Sequence, residues 1–397
     1  MKSEEFVKSY AVERHGTASL KWDALGVRFG DPDLTAMWVA DMEFKVPEVV
    51  QEALHERVDH GVFGYTMAPD SYYEAFINWQ KKHHDTVVEK DWIRFSPGVV
   101  ASFYNCVNAF TKEGDGVIIQ SPVYYPMHNA AIDTHRKLVR SELKRIDGRY
   151  YMDLEDFEAK IVSESVKLFI LCSPHNPAGR IWSEEELDQV LSICAKHDVL
   201  VVSDEIHQDI LLGGRKFVSS LSVNNGAYHK NLIVLTAPSK TFNLACLLNS
   251  NVIIPDPELR AEYDLRMKAF NQVELSILGI VAAEAAYKGG EDWLEGLLDT
   301  IESNFNYLKT ELTTKFPKVV VTELEATYLM WIDLTAYVKP EDTKDFIQNK
   351  CHLAIDFGEW FSDACKGFVR LNMATDPKYV KFAADQITRE LAKLESE

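Results

Sequence analysis

One lysine in this chain is placed to act as a nucleophile. Lys240 lies in Ala237-Pro238-Ser239-Lys240-Thr241-Phe242-Asn243, directly behind an apolar run that reads as a buried strand. An amine drawn into a concave, partly desolvated site loses proton affinity, and the neutral amine attacks an aldehyde to form an imine. A lysine in a lone SK dipeptide is an ordinary solvated residue, so the weight falls on its company. Asp204, in Ser203-Asp204-Glu205-Ile206-His207, ends another apolar run, where an aspartate either caps the next helix or offers charge to a bound cation. Asn176, in Ser173-Pro174-His175-Asn176-Pro177-Ala178-Gly179, sits in a turn set by its prolines and glycine. Gly98, Val99 and Val100 precede a helical stretch over 101–110. The free amides and positive dipole end of such a helix suit a phosphate dianion.

An amine for an aldehyde, a carboxylate for a ring nitrogen, an amide for a phenolic oxygen and a cradle for a phosphate together describe a site for pyridoxal 5′-phosphate. The protonated pyridine withdraws electrons well enough to stabilise a carbanion, and Asp204 is the residue to keep it protonated. Tyr124 and Tyr125 add a flat face for the ring and a hydroxyl near the reacting carbon, although either could be a core residue. Arg370, inside the apolar run Gly367-Phe368-Val369-Arg370-Leu371-Asn372, is costly unless it meets an anion. Its planar fork matches the α-carboxylate of an amino acid, so a substrate is the expected partner, with a structural carboxylate as the alternative.

Strands must carry these segments. The runs 116–120, 166–172, 199–203 and 231–236 are β-branched and apolar, alternate with helical patterns, and are each followed by a chemically loaded segment. The pattern predicts an α/β domain with a mostly parallel sheet, whose ligands sit outside the carboxyl ends of the strands. Past about residue 280 the texture changes to long amphipathic helices, 291–316 among them, and strands over 319–322 and 328–333. We therefore expect a large α/β domain over 46–280 and a smaller α+β domain made of 1–45 with 281–397. The first 45 residues hold little helical periodicity, and Met37-Trp38-Val39-Ala40-Asp41-Met42 reads as a buried connection.

Composition narrows the function classes. The 397 residues carry 42 Lys and Arg against 61 Asp and Glu, a net charge of -19 that opposes phosphate backbones and anionic membranes. The six cysteines form no CxxC pair, the start MKSEEFVKSY lacks a signal pattern, and no apolar run approaches the roughly 20 residues of a membrane span. A cytoplasmic enzyme with no metal site and no nucleic-acid role is the expectation.

Taken in order, SPGVV, SPVYYP, SPHNP, SDEIH, TAPSKTFN and GFVRLN resemble the class I/II aminotransferase superfamily of fold-type I pyridoxal-phosphate enzymes. Within it they are most similar to the cystathionine β-lyase and cysteine-sulfur lyase group, the MalY/PatB and cystalysin type. The likeness runs from about Arg14 to Thr375 and includes Lys21-Trp22-Asp23 and Gly61-Val62-Phe63-Gly64-Tyr65. It implies the aspartate-aminotransferase-like fold, Lys240 as the Schiff-base lysine, Asp204 at the pyridine nitrogen, Asn176 at the phenolic oxygen and Tyr124 on the ring. Arg370 is implied on the substrate carboxylate, Ser239 and His207 among the cofactor contacts, and Tyr65 at the phosphate of the neighbouring subunit in a homodimer. His207 stands where typical aminotransferases place a tyrosine, which favours a lyase.

The implied reaction is α,β-elimination from L-cystathionine or a related cysteine S-conjugate, giving a thiol, pyruvate and ammonia. Lys240 would take the Cα proton, and Lys240 or Tyr125 would protonate the departing sulfur. A transaminase is the alternative on the same residues, and a regulator acting through protein contacts is a further one. The chain departs from the pattern at Cys246, where the lyases keep glycine, at Leu248, where many aminotransferases place a phosphate-binding arginine, and at Ala101 and Ala178. Cys246 is expected to crowd the loop behind the cofactor.

Overall fold

A computed structural model describes residues 2–272 and 275–396. Seven strands form the main sheet: β1 (Ile93–Ser96), β2 (Gly116–Ser121), β3 (Lys137–Glu142), β4 (Val166–Cys172), β5 (Leu200–Asp204), β6 (Leu232–Thr236) and β7 (Ser250–Ile253). Their spatial order is β1-β7-β6-β5-β4-β2-β3. β7 pairs antiparallel with both of its neighbours, and every other pairing is parallel. The central strands are apolar at consecutive positions because both faces of a parallel sheet are covered. Ile118, Phe169, Val201 and Val234 face one layer, with Leu187 and Leu191 of helix Glu184–Lys196. Their chain neighbours Ile119, Ile170, Val202 and Leu235 face the other, with Phe103 and Val107 of helix Val99–Phe110. Helix Glu184–Lys196 starts where it does because Ser183 and Glu186 form a reciprocal capping box.

A second, antiparallel sheet holds β8 (Val320–Val321), β9 (Leu329–Asp333), β10 (Asp356–Phe357) and β11 (Phe368–Asn372) in the order β8-β9-β11-β10. Expected strand boundaries differ by a residue or two, and the helix foreseen from residue 101 already begins at Val99. Helix Ile277–Gly289 runs unbroken across the expected boundary at 280 and packs on helices Glu48–His60 and Asp70–His84.

The amino-terminal segment departs from expectation: Ser3–Tyr10 is a helix. Phe6 and Tyr10, one turn apart, are its buried residues, too few for a visible period. Phe6 docks on helix Glu291–Lys315 at Gly296, where an added Cβ would come within 2.6 Å of the ring. Farther along, Thr35–Ala36 pairs in parallel with Leu353–Ala354. Met37, Trp38 and Met42 are buried, and this strap passes beside the carboxyl edge of the main sheet. No helix among the described residues is long and apolar enough to cross a membrane.

Candidate active site

The loops after β1, β2, β4, β5 and β6 all leave one edge of the sheet, where they enclose a cavity of about 170 Å³. Gly98, Val99 and Val100 line it from the loop after β1, and Tyr124 from the loop after β2. Asn176, Asp204 and His207 reach it from the next two loops, Ser239 and Lys240 from the last. These residues span more than a third of the chain, and the parallel sheet gathers them because every loop leaves a strand at the same end.

Lys240 sits in the short helix Pro238–Thr241. Its Nζ donates to the Ala40 carbonyl at 2.6 Å, and burial brings the amine down to about 8, opposed by the nearby charge of Asp41. Tyr328 donates to the same carbonyl at 2.8 Å. The buried connection therefore serves also as a wall of the cavity. Asn372 holds it through the Val39 and Asp41 carbonyls at 2.7 and 2.6 Å, and Asn243 through Met42 and Phe44.

Asp204, at the end of β5, accepts one backbone N–H, from Ile206 at 3.1 Å. Burial pushes its carboxyl up to about 7 despite that bond and the charge of Lys240. A carboxylate with so little support calls for a cation beside it, as a protonated pyridine nitrogen would be. His207 is buried edge-on to Tyr328, ring centroids 5.8 Å apart. Burial, then the positive charges of Lys240 and Arg370, keep its imidazole neutral.

At the opposite end, a Cβ added to Gly98 would meet nothing within 4 Å, so the backbone at the start of helix Val99–Phe110 lies open. No side chain caps that helix. Free amides there, an acid for a ring nitrogen and a buried amine of lowered basicity fit pyridoxal phosphate.

Arg370, on β11, lies outside the lining of this cavity and reaches it through Asn176. Its Nη1 donates to Asn176 Oδ1 at 2.8 Å, and Nη2 meets Asp356 of β10. Of the two partners the sequence allowed, the structural carboxylate is present, as Asp356. Asn176 gives its side-chain oxygen to Arg370, which leaves its amide nitrogen free to donate.

Besides Arg370, two expected residues are not brought into the cavity. Tyr125 stands beside Tyr124 but outside the lining, 36% exposed, with its ring 5.4 Å from that of Tyr124 and 6.2 Å from that of Phe361. Tyr65 is 99% exposed and away from the cavity within its own chain. Cys246 is exposed rather than crowding the loop, because the turn Ala245–Leu247 directs it outward. Leu248 is also exposed, in a left-handed conformation at φ 55°.

Sequence reasoning missed Ala40, Asn249, Tyr328 and Asp356. Asn249 lines the cavity because antiparallel β7 brings its amino end to the edge where the other strands end. Asp356 carried a usable signal, an acid within the apolar run Leu353-Ala354-Ile355-Asp356-Phe357. Ala40 acts through its backbone, which residue type does not reveal.

Comparison with known proteins identifies the fold and the family. Cystathionine beta-lyase PatB of Bacillus subtilis is 41% identical over 361 residues, 91% of this chain and 93% of the relative. Protein MalY of Escherichia coli is 30% identical over 371 residues, 92% and 93% of the two chains. The crystal structure of cystalysin from Treponema denticola, which contains pyridoxal 5′-phosphate, superposes with a TM-score of 0.92 at 34% identity, covering 96% of this chain and 98% of that one. The fold is thus the aminotransferase-like α/β fold expected from the motifs. With the family model for class I and II aminotransferases matching residues 36–387, the chain belongs to the class I and II aminotransferase family.

Proposed function

We propose that this protein is a pyridoxal-phosphate-dependent carbon–sulfur lyase. It would cleave L-cystathionine or a related cysteine S-conjugate, with water, to a thiol (homocysteine from cystathionine), pyruvate and ammonia. The observation that carries the reading is the convergence of Lys240, Asp204 and Asn176 on one cavity, with Arg370 bonded to Asn176 behind it. The names of the two bacterial relatives, a cystathionine beta-lyase among them, support the substrate class.

When bound, the cofactor supplies an aldehyde for amine capture and a pyridinium that draws electrons from Cα. The chain's own residues do the rest. The open amides at Val99 and Val100 would hold the phosphate, Asp204 would keep the ring nitrogen protonated, and the Asn176 amide would donate to the phenolic oxygen. Tyr124 covers the ring face, with Ser239 and His207 completing the pocket. Arg370 orients the substrate carboxylate. Lys240, with its Nζ neutral, would take the Cα proton, and Lys240, with Tyr125 beside Tyr124, would return a proton to the leaving sulfur.

The same reading includes a homodimer, in which Tyr65 reaches the partner's phosphate site. Exposure of Val62, Phe63 and Met67 around Tyr65, at 58%, 55% and 80%, supports it. It also includes two domains, the larger one extending through helix Ile277–Gly289, and a cytoplasmic setting, in keeping with six unpaired cysteines. Incubation with L-cystathionine and no 2-oxo acid tests the reaction: pyruvate and free thiol should appear together. Little pyruvate, with rapid amino transfer once 2-oxoglutarate is added, would replace the lyase by a transaminase.

A further inference from the structure

Arg370 is not a free cation waiting for substrate. Sheet register sets Asp356 of β10 directly opposite Arg370 of β11. The two side chains are 4% and 3% exposed, and Asp356 accepts from Nη2. Nη1 is committed to Asn176 at 2.8 Å, and the Trp38 carbonyl lies 3.4 Å from Nη2. The Phe361 ring centre, 4.8 Å from the guanidinium carbon, covers one face. Nε has no partner among the described residues, and neither does Asp356 have a second hydrogen-bond donor among them.

A buried guanidinium and carboxylate in contact carry no net charge as a pair. An arriving carboxylate must therefore share one cation with an anion already seated on it. We propose that Asp356 sets the affinity of the carboxylate pocket: it orients Arg370 through Nη2 and, by offsetting its charge, weakens the hold on any bound carboxylate. This rests on the reading of Arg370 as the substrate-carboxylate residue. Its functional sense follows from the reaction, because pyruvate leaves with the same carboxylate that the substrate brings. Binding energy spent equally on substrate and product slows release without helping the chemical step. Asp356 is thus a positioning residue that acts on ligands through Arg370.

The test is calorimetric titration of the cofactor-loaded enzyme with propionate, a carboxylate that cannot react. Asp356→Asn keeps an oxygen for Nη2 but removes the charge, and its Kd should fall about tenfold from the wild-type value. Mere structural damage would weaken binding rather than tighten it. Unchanged or weaker binding by Asp356→Asn overturns the proposal. Should that variant fail to fold, Asp356→Ser carries the same expectation, and Asp356→Glu, which keeps the charge, should bind as the wild type does. Tightening by Asp356→Glu equal to that of a neutral variant also overturns it. Arg370→Ala should lose propionate binding, and if it binds like the wild type, the assignment of Arg370 fails instead.

Discussion

Lys240 Nζ donates to the carbonyl of Ala40 at 2.6 Å, although the two residues are 200 positions apart in the chain. This bond holds the amine in the cavity, and burial there lowers its basicity to about 8. The amine is protonated below that pH and neutral above it, and only the neutral form attacks an aldehyde. Capture of pyridoxal phosphate by the cofactor-free protein, followed by stopped-flow absorbance, should therefore accelerate as the pH rises through about 8. A flat profile across that value would mean that another step or another amine governs capture.

Borohydride reduction of the loaded enzyme should fix the cofactor to the peptide containing Lys240. In Lys240→Ala, reduction should leave no labelled peptide, although the pocket still binds the free cofactor. Mass spectrometry finding a labelled peptide in that variant would show that a different lysine is used.

Asp204 makes a stability prediction for the cofactor-free protein. Its folded value of about 7 lies above the ordinary 3.8, so the folded chain keeps a proton that the unfolded chain releases. Stability should then fall as pH rises from about 3.8 to about 7, by up to about 1.4 kcal/mol per pH unit, and level off above. Denaturant titrations should give a shallower pH dependence for Asp204→Asn. Equal slopes in the two proteins would place the proton elsewhere.

Removing the Arg370 guanidinium strands Asp356 in a buried setting. Arg370→Ala should raise KM for the amino acid by the equivalent of about 2–4 kcal/mol. It should also lose stability, roughly 3–5 kcal/mol if the whole burial cost of the remaining charge is felt. Adding Asp356→Ala should recover much of the stability but only the small part of the KM that repulsion by the stranded carboxylate contributes. Full recovery of both would show that Arg370 acts on the fold alone.

Tyr65, 99% exposed within its chain, should become protected on dimerisation. Sedimentation should give a dimer, and Tyr65→Ala should weaken cofactor retention during dialysis without changing the fold. A fully active monomer would remove the role proposed for it.

The sequence by itself determined the mostly parallel sheet and named residues that gather at one edge of it. Lys240, Asp204 and Asn176 each follow an apolar run, and such runs form strands covered on both faces, whereas the strand before Gly98 is hidden by its Arg94 and Ser96. That local pattern suffices to place their loops at one edge. Helix Ser3–Tyr10 escaped because its burial depends on Phe6 finding the space above Gly296, a contact between distant segments. Asn249 escaped because its position follows from β7 running against its neighbours, and short apolar strands carry no mark of direction. Only the tertiary structure decided that the strap at Ala40 walls the cavity and that Asp356 faces Arg370. The first acts through a backbone carbonyl, which every residue type possesses. The second depends on cross-strand register, which is set by packing over the whole sheet rather than by the few residues that meet.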